Sequence, residues 1–114
     1  AKSDAFGYRN DSGYQTWGGA PIQGPDGTWH LFVSFMHGKC DVWHHWTHVS
    51  QVVRLDSPNP TGPWTYADVI IPSFAHNVKP FRAVTGEWLL YYIGQVNNDT
   101  TVCNGTELST AAPP

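Results

Sequence analysis

Six side chains of metal-ligand type fall between residues 37 and 48: His37, Cys40, Asp41, His44, His45 and His48. Imidazole nitrogen, thiolate and carboxylate oxygen all bind zinc or copper, so this insert is one place where chemistry is expected. The spacing fits no closed zinc pattern, however, and His44 and His48 share a face only if the insert is helical. The simpler reading is a polar, aromatic-laden loop that holds no metal. A metal site using His37, His44, His45 and His48 is the alternative. Cys40 has a second claimant in Cys103, and an even pair of cysteines suits an oxidising compartment. If bonded, the two close a long loop, worth roughly 4 kcal/mol on the chain-entropy model; otherwise they are two buried thiols.

Carboxylates carry the other chemistry open to this chain. Asp26 and Asp56 stand in turn-forming sequences, where Asp bends and caps backbone. Asp68 falls on an expected outer strand, and Glu87 opens another strand after a tight turn, so both are expected in solvent. Asp41 has the best claim, because a loop there can overhang a neighbouring site. No pair suited to acid–base work stands out, and the catalytic residues are left unassigned.

The elements that must position these residues are strands. Gly27-Thr28-Trp29-His30-Leu31-Phe32-Val33-Ser34-Phe35 is echoed by Gly86-Glu87-Trp88-Leu89-Leu90-Tyr91-Tyr92-Ile93-Gly94. Each run follows a tight turn, and before each turn lies a short apolar run, Ala20-Pro21-Ile22 or Val78-Lys79-Pro80-Phe81. A repeat of strands and turns at this length points to a propeller-like array, in which no unit buries its own faces alone. Strands are expected near residues 18–23, 28–36, 49–55, 64–71, 77–82 and 87–94. Almost no helix is expected, because Pro and Gly interrupt nearly every window long enough to hold one. Residues 37–48 are expected to be irregular, and the run His30–Phe35 reads as a strand buried on both faces. Trp29 and Trp88, at equivalent positions, are expected in the core, with Trp64 closing the first unit.

Residues 1–96 thus contain one complete four-stranded unit, about 17–72, and a second partial unit, about 74–95; residues 97–114 form a polar tail. One and a half units leave the sides of Leu31–Phe35 and Leu89–Ile93 uncovered. The chain is therefore expected to belong to a larger array or to associate with further blades or partner chains.

Several of these stretches carry a resemblance. Trp17-Gly18-Gly19 with Asp26-Gly27-Thr28-Trp29-His30-Leu31-Phe32 is similar to the first half of a blade in family-43-like glycoside hydrolases. These belong to the five-bladed β-propeller superfamily that also holds arabinanases, invertases and levansucrases. Ser50-Gln51-Val52-Val53, Asp56-Ser57-Pro58 and Thr61-Gly62-Pro63-Trp64 resemble that group's blade ending. Phe74-Ala75-His76-Asn77 and the Gly86–Gly94 run look like the start of the next blade. The match covers roughly residues 15–95 and implies an all-β fold of about one and a half propeller blades. It also implies a carbohydrate partner bound at a channel mouth lined by the first strand of each blade. Where the family often carries Asp in a His-Asp-Pro motif, this chain reads His76-Asn77-Val78, and an amide is no general base. The resemblance therefore implies sugar contacts from Trp17, His76 and Asn77 rather than acid–base catalysis, and Trp43 and Trp46, aromatics of the insert, offer further faces for a sugar ring. A non-catalytic sugar-binding or structural glycoprotein is the companion reading.

Composition narrows the partners and the compartment. A formal net charge of −3, with only six Lys and Arg in 114 residues, leaves no basic stripe, so nucleic acid is not an expected partner. No apolar run approaches the ~18 residues of a membrane span, and nothing implies a cofactor. Asn10-Asp11-Ser12, Asn98-Asp99-Thr100 and Asn104-Gly105-Thr106 are N-glycosylation acceptors, whereas proline disqualifies Asn59-Pro60-Thr61. Two acceptors beside a cysteine in the polar tail point to a secreted protein, modified at Asn10, Asn98 or Asn104.

Overall fold

The computed structural model describes residues 15–97, 99 and 101–103. Six strands follow the chain: β1 (Thr16–Gln23), β2 (Trp29–Met36), β3 (Ser50–Ser57), β4 (Thr65–Ile71), β5 (Ala75–Arg82) and β6 (Trp88–Gly94). All six expected strands are present, their ends displaced by two residues at most. β1 to β4 form one antiparallel sheet in chain order, and β5 and β6 form a separate antiparallel pair.

The sequence echo is a structural repeat. In the β1–β2 hairpin Gly24 N–H donates to the Thr28 carbonyl at 2.8 Å and Gly27 N–H to the Gly24 carbonyl at 3.0 Å. In the β5–β6 hairpin Ala83 and Gly86 repeat both bonds, to Glu87 and Ala83, each at 2.8 Å. The pairing slips between Trp17 and Ala20 in β1 and between His76 and Lys79 in β5, so the bulge repeats as well. Within it Gly18 (φ +67°) is matched by Asn77 (φ +54°), both in the left-handed region that glycine and asparagine tolerate best.

The core lies on both faces of β2. Leu31, Val33 and Phe35 pack with Val53, Leu55 and Trp64 on one face, with Trp29 half-buried beside them. Phe32 and Val52 pack against Ala75 and Val78 of β5 on the other. Each fully buried Leu or Val of this set contributes roughly 2 kcal/mol relative to exposure. The side of Leu31–Phe35 expected to be uncovered is therefore closed. The expectation holds for β6, where Tyr91 and Ile93 are 62 % and 55 % exposed. Trp88 departs from its core assignment and is exposed, 39 % of its surface open to solvent. Trp29 has β1 and β3 on its two sides, whereas among the described residues β6 has only β5 beside it.

The insert is not irregular. A single 3-10 turn, His37–Lys39, leads into α1 (Val42–Val49), which Asp41 caps by accepting the His44 N–H at 3.1 Å. Val42 and Val49, two turns apart, share one face of α1 and pack on Met36, Cys40 and Cys103. Tertiary burial thus holds a helix whose Trp, His, Thr and Val residues have weak intrinsic preference for one.

The chain returns to this corner after β6. Asn97 N–H donates to the Ser73 carbonyl at 2.7 Å and Cys103 N–H to the Gly38 carbonyl at 2.8 Å. Cys40 and Cys103 are disulfide-bonded, with their Cα atoms 4.9 Å apart. Gly38 (φ +68°) admits the returning chain, because a Cβ there would strike the Thr101 carbonyl and lie 2.9 Å from Val102 Cα. The acceptor asparagines Asn10, Asn98 and Asn104 lie outside the described residues. Among the described residues no helix is long and apolar enough to cross a membrane.

Candidate functional site

Two buried hydroxyls on the large sheet fix adjacent residues of β5. Ser34, fully buried on β2, accepts the Asn77 N–H at 2.9 Å. Ser50, fully buried at the start of β3, shares a hydrogen bond with His76 Nδ1 at 3.3 Å. Trp17 is the cross-strand partner of Ser34, and its indole N–H donates to Asn77 Oδ1 at 3.2 Å. One register position of the β1–β2 ladder therefore clamps Asn77 at both its backbone and its side chain.

His76 is the floor of this site. It is buried, with Trp17 (5.9 Å between ring centroids), Trp46 (5.3 Å, edge-on) and Phe74 (5.0 Å) around it. Burial pushes the imidazole below its ordinary pKa, toward the neutral form that can both donate and accept a hydrogen bond. Helix α1 supplies the wall, and Trp43 and Trp46 present half-exposed rings. The result is an open cleft of about 290 Å³ lined by Trp17, Val42, Trp43, Trp46, His76 and Asn77. All four residues assigned to sugar contact thus meet in one cleft. Trp43, the other aromatic of the insert expected to offer a stacking face, lines it too, and its spacing of three from Trp46 carries meaning only once the insert is known to be helical.

No carboxylate lines this cleft among the described residues. Asp41 does not overhang it; its Oδ2 is taken up by the cap, accepting from the backbone and ring of His44 at 3.1 and 2.9 Å. Asp26 holds its turn by accepting the Thr28 N–H at 2.9 Å, and this bond lowers its pKa. Asp56 is not in a turn. It lies on β3, opposite His30, and pairs with His30 Nδ1 at 2.7 Å and Arg54 Nε at 3.0 Å. Strand β3 runs longer than expected because Leu55 and Ser57 are buried, which carries the ladder through Asp56.

The histidines of the insert do not converge as a set of four. His37 sits on the 3-10 turn, and His44 turns to Asp41. His45 Nδ1 meets His48 Nε2 at 3.1 Å, and His48 Nδ1 meets Asp99 Oδ2 at 2.8 Å. Hydrogen bonds from the Thr101 hydroxyl and backbone N–H, then from His48, hold the Asp99 carboxyl well below the usual carboxylate range.

A larger cleft, about 580 Å³, lies between the sheets, floored by Phe32, Ile70, Trp88 and Leu90 and rimmed by His30, Arg54 and Asp26. Sequence reasoning did not single it out. At its rim His30 and Arg54 are both paired with Asp56, and Asp26 accepts the Thr28 N–H.

No family model, no curated protein and no solved structure matches this chain.

Proposed function

We propose that this chain is part of a secreted, carbohydrate-active protein of β-propeller type, and that its role is to contact a glycan through the Trp17–Trp46–His76–Asn77 cleft. The observation that carries the reading is the convergence of these residues on one open, aromatic-walled cleft. Flat indole faces stack on the C–H side of a sugar ring, while the Asn77 amide and the neutral His76 ring reach its hydroxyls. With Nδ1 held by Ser50, His76 Nε2 is the nitrogen left for a hydroxyl. The repeated hairpin and bulge support blades of one kind, and the apolar exposure of β6 supports further strands, from additional blades or partner chains, against it. The absence of a carboxylate from the described lining favours binding over hydrolysis by this chain.

The test is a titration of the intact chain with neutral arabino-, xylo- and fructo-oligosaccharides, followed by tryptophan fluorescence and calorimetry, beside a reducing-end assay. At least one series should bind, His76→Ala and Trp46→Ala should each weaken it about tenfold or more, and no reducing ends should appear. The surface variant Asp68→Asn should bind as the parent does. Failure of every series to bind, or equal affinity in His76→Ala, overturns the reading.

A further inference from the structure

Among the described residues, the one group of three ligand-type atoms mutually within 4.8 Å is Cys40 Sγ, Cys103 Sγ and a ring nitrogen of His45. We infer that reduction of the Cys40–Cys103 disulfide converts this corner into a closed zinc-type site, with Cys40, Cys103 and His45 as ligands and Asp41 Oδ1 as the fourth.

Four observations carry this assignment. His45 Nε2 lies 3.5 Å from Cys103 Sγ, and a tetrahedral zinc with ordinary bond lengths places its sulfur and nitrogen ligands about 3.6 Å apart. Asp41 is 1 % exposed, and its Oδ1 has no hydrogen-bond partner although Oδ2 is fully used in the cap. An unpartnered buried carboxylate oxygen is costly, and this one lies 3.9 Å from the same His45 Nε2. The surroundings are Met36, Val42 and Val49, an apolar shell that favours soft thiolate ligation over hydrated ions.

The outer shell is also in place. A metal-bound imidazole typically donates its other N–H to an acceptor that fixes ring and tautomer. Here His45 Nδ1 meets His48 Nε2 at 3.1 Å, and His48 is in turn anchored on Asp99 at 2.8 Å. That chain of bonds points His45 Nε2 at the sulfurs. The oxidised disulfide leaves the sulfurs with no negative charge to offer, so the oxidised corner holds no metal.

The interconversion balances simply. A dithiol reductant gives two electrons and two protons to the Sγ–Sγ bond and becomes a disulfide; Cys40 and Cys103 become thiols. Metal capture then releases both thiol protons to solvent. The sulfurs must separate on opening to share one metal ion.

The experiment uses the full chain, oxidised or reduced anaerobically with a phosphine, and titrates it with Co²⁺ and then Zn²⁺. The reduced chain should take up one Co²⁺ with thiolate-to-cobalt charge-transfer and intense tetrahedral d–d bands, and one Zn²⁺ should displace it. The oxidised chain should show neither band. His45→Ala should weaken Zn²⁺ at least tenfold, and His48→Ala, acting through His45, should do so about 10–100-fold. Asp41→Asn, which keeps the helix cap, should shift the d–d bands. Near-ultraviolet dichroism of the same samples reports folding. A reduced chain that binds no Co²⁺, that stays unfolded with Zn²⁺ present, or that binds Zn²⁺ equally well as His45→Ala overturns the inference.

Discussion

Burial holds the His76 imidazole below its unfolded value of 6.5, because the charged ring would lose water without gaining a counter-ion. Below that value the unfolded chain takes up a proton that the folded chain refuses. The stability tied to neutral His76 is therefore complete above about pH 6.5 and is lost progressively as pH falls toward the depressed folded value. Asp99 also has a depressed pKa, but its contribution persists down to the carboxylate range, so it does not confuse the window between about pH 5 and pH 7. The thermal midpoint of the chain should fall across that window, and His76→Gln should flatten the fall. An unchanged slope in His76→Gln would show that the buried ring is not its source. Any glycan contact through His76 should weaken over the same range, since a doubly protonated ring cannot accept from a hydroxyl.

At the scale of elements, α1 is the piece that turns a sheet edge into a cleft, and Asp41 is its anchor. Asp41→Ala removes the acceptor for the His44 N–H and should cost about 1 kcal/mol. Because Trp43 and Trp46 ride on α1, the same variant should loosen the cleft wall. Asp41→Asn keeps a capping oxygen, so urea melts should place it between parent and alanine variant; equal midpoints for all three would remove the cap from the account. The strands were legible because alternation, turn residues and a repeated tryptophan agree at every level. The helix was not, because its signal is one capping Asp and the apolar pair Val42 and Val49, with no propensity behind them. The cleft was legible only in part. Trp17, His76 and Asn77 sit on strands whose repeat could be aligned, and Trp46 was chosen as a loop aromatic. What brings Trp46 onto His76, and adds Trp43, is the helix the sequence concealed.

For the whole molecule the unresolved surface is β6. Leu89, Tyr91 and Ile93 alternate on one face and Trp88 and Tyr92 on the other, all at least 37 % exposed, on a strand that among the described residues is bonded on one edge only. A strand apolar on both faces is written for burial on both, as β2 achieves with β1, β3 and β5 around it. Its outer edge, unpaired among the described residues, offers N–H and C=O groups, and natural edges normally protect themselves with lysine, proline or a bulge. Here the bulge and Pro80 both lie on β5, with Pro80 opposite Leu90, and β6 itself carries neither lysine nor proline to blunt its outer edge. The large cleft is lined by Trp88 and Leu90 of the same strand. Further antiparallel strands would close edge, faces and cleft together. The isolated chain should therefore sediment above its 12.7 kDa mass at micromolar concentration, and Tyr91→Lys with Ile93→Lys should return it to a folded monomer. If the parent chain is already a stable monomer whose β6 amides exchange slowly, β6 needs no cover, and the reading of this molecule as part of a larger array of strands fails with it.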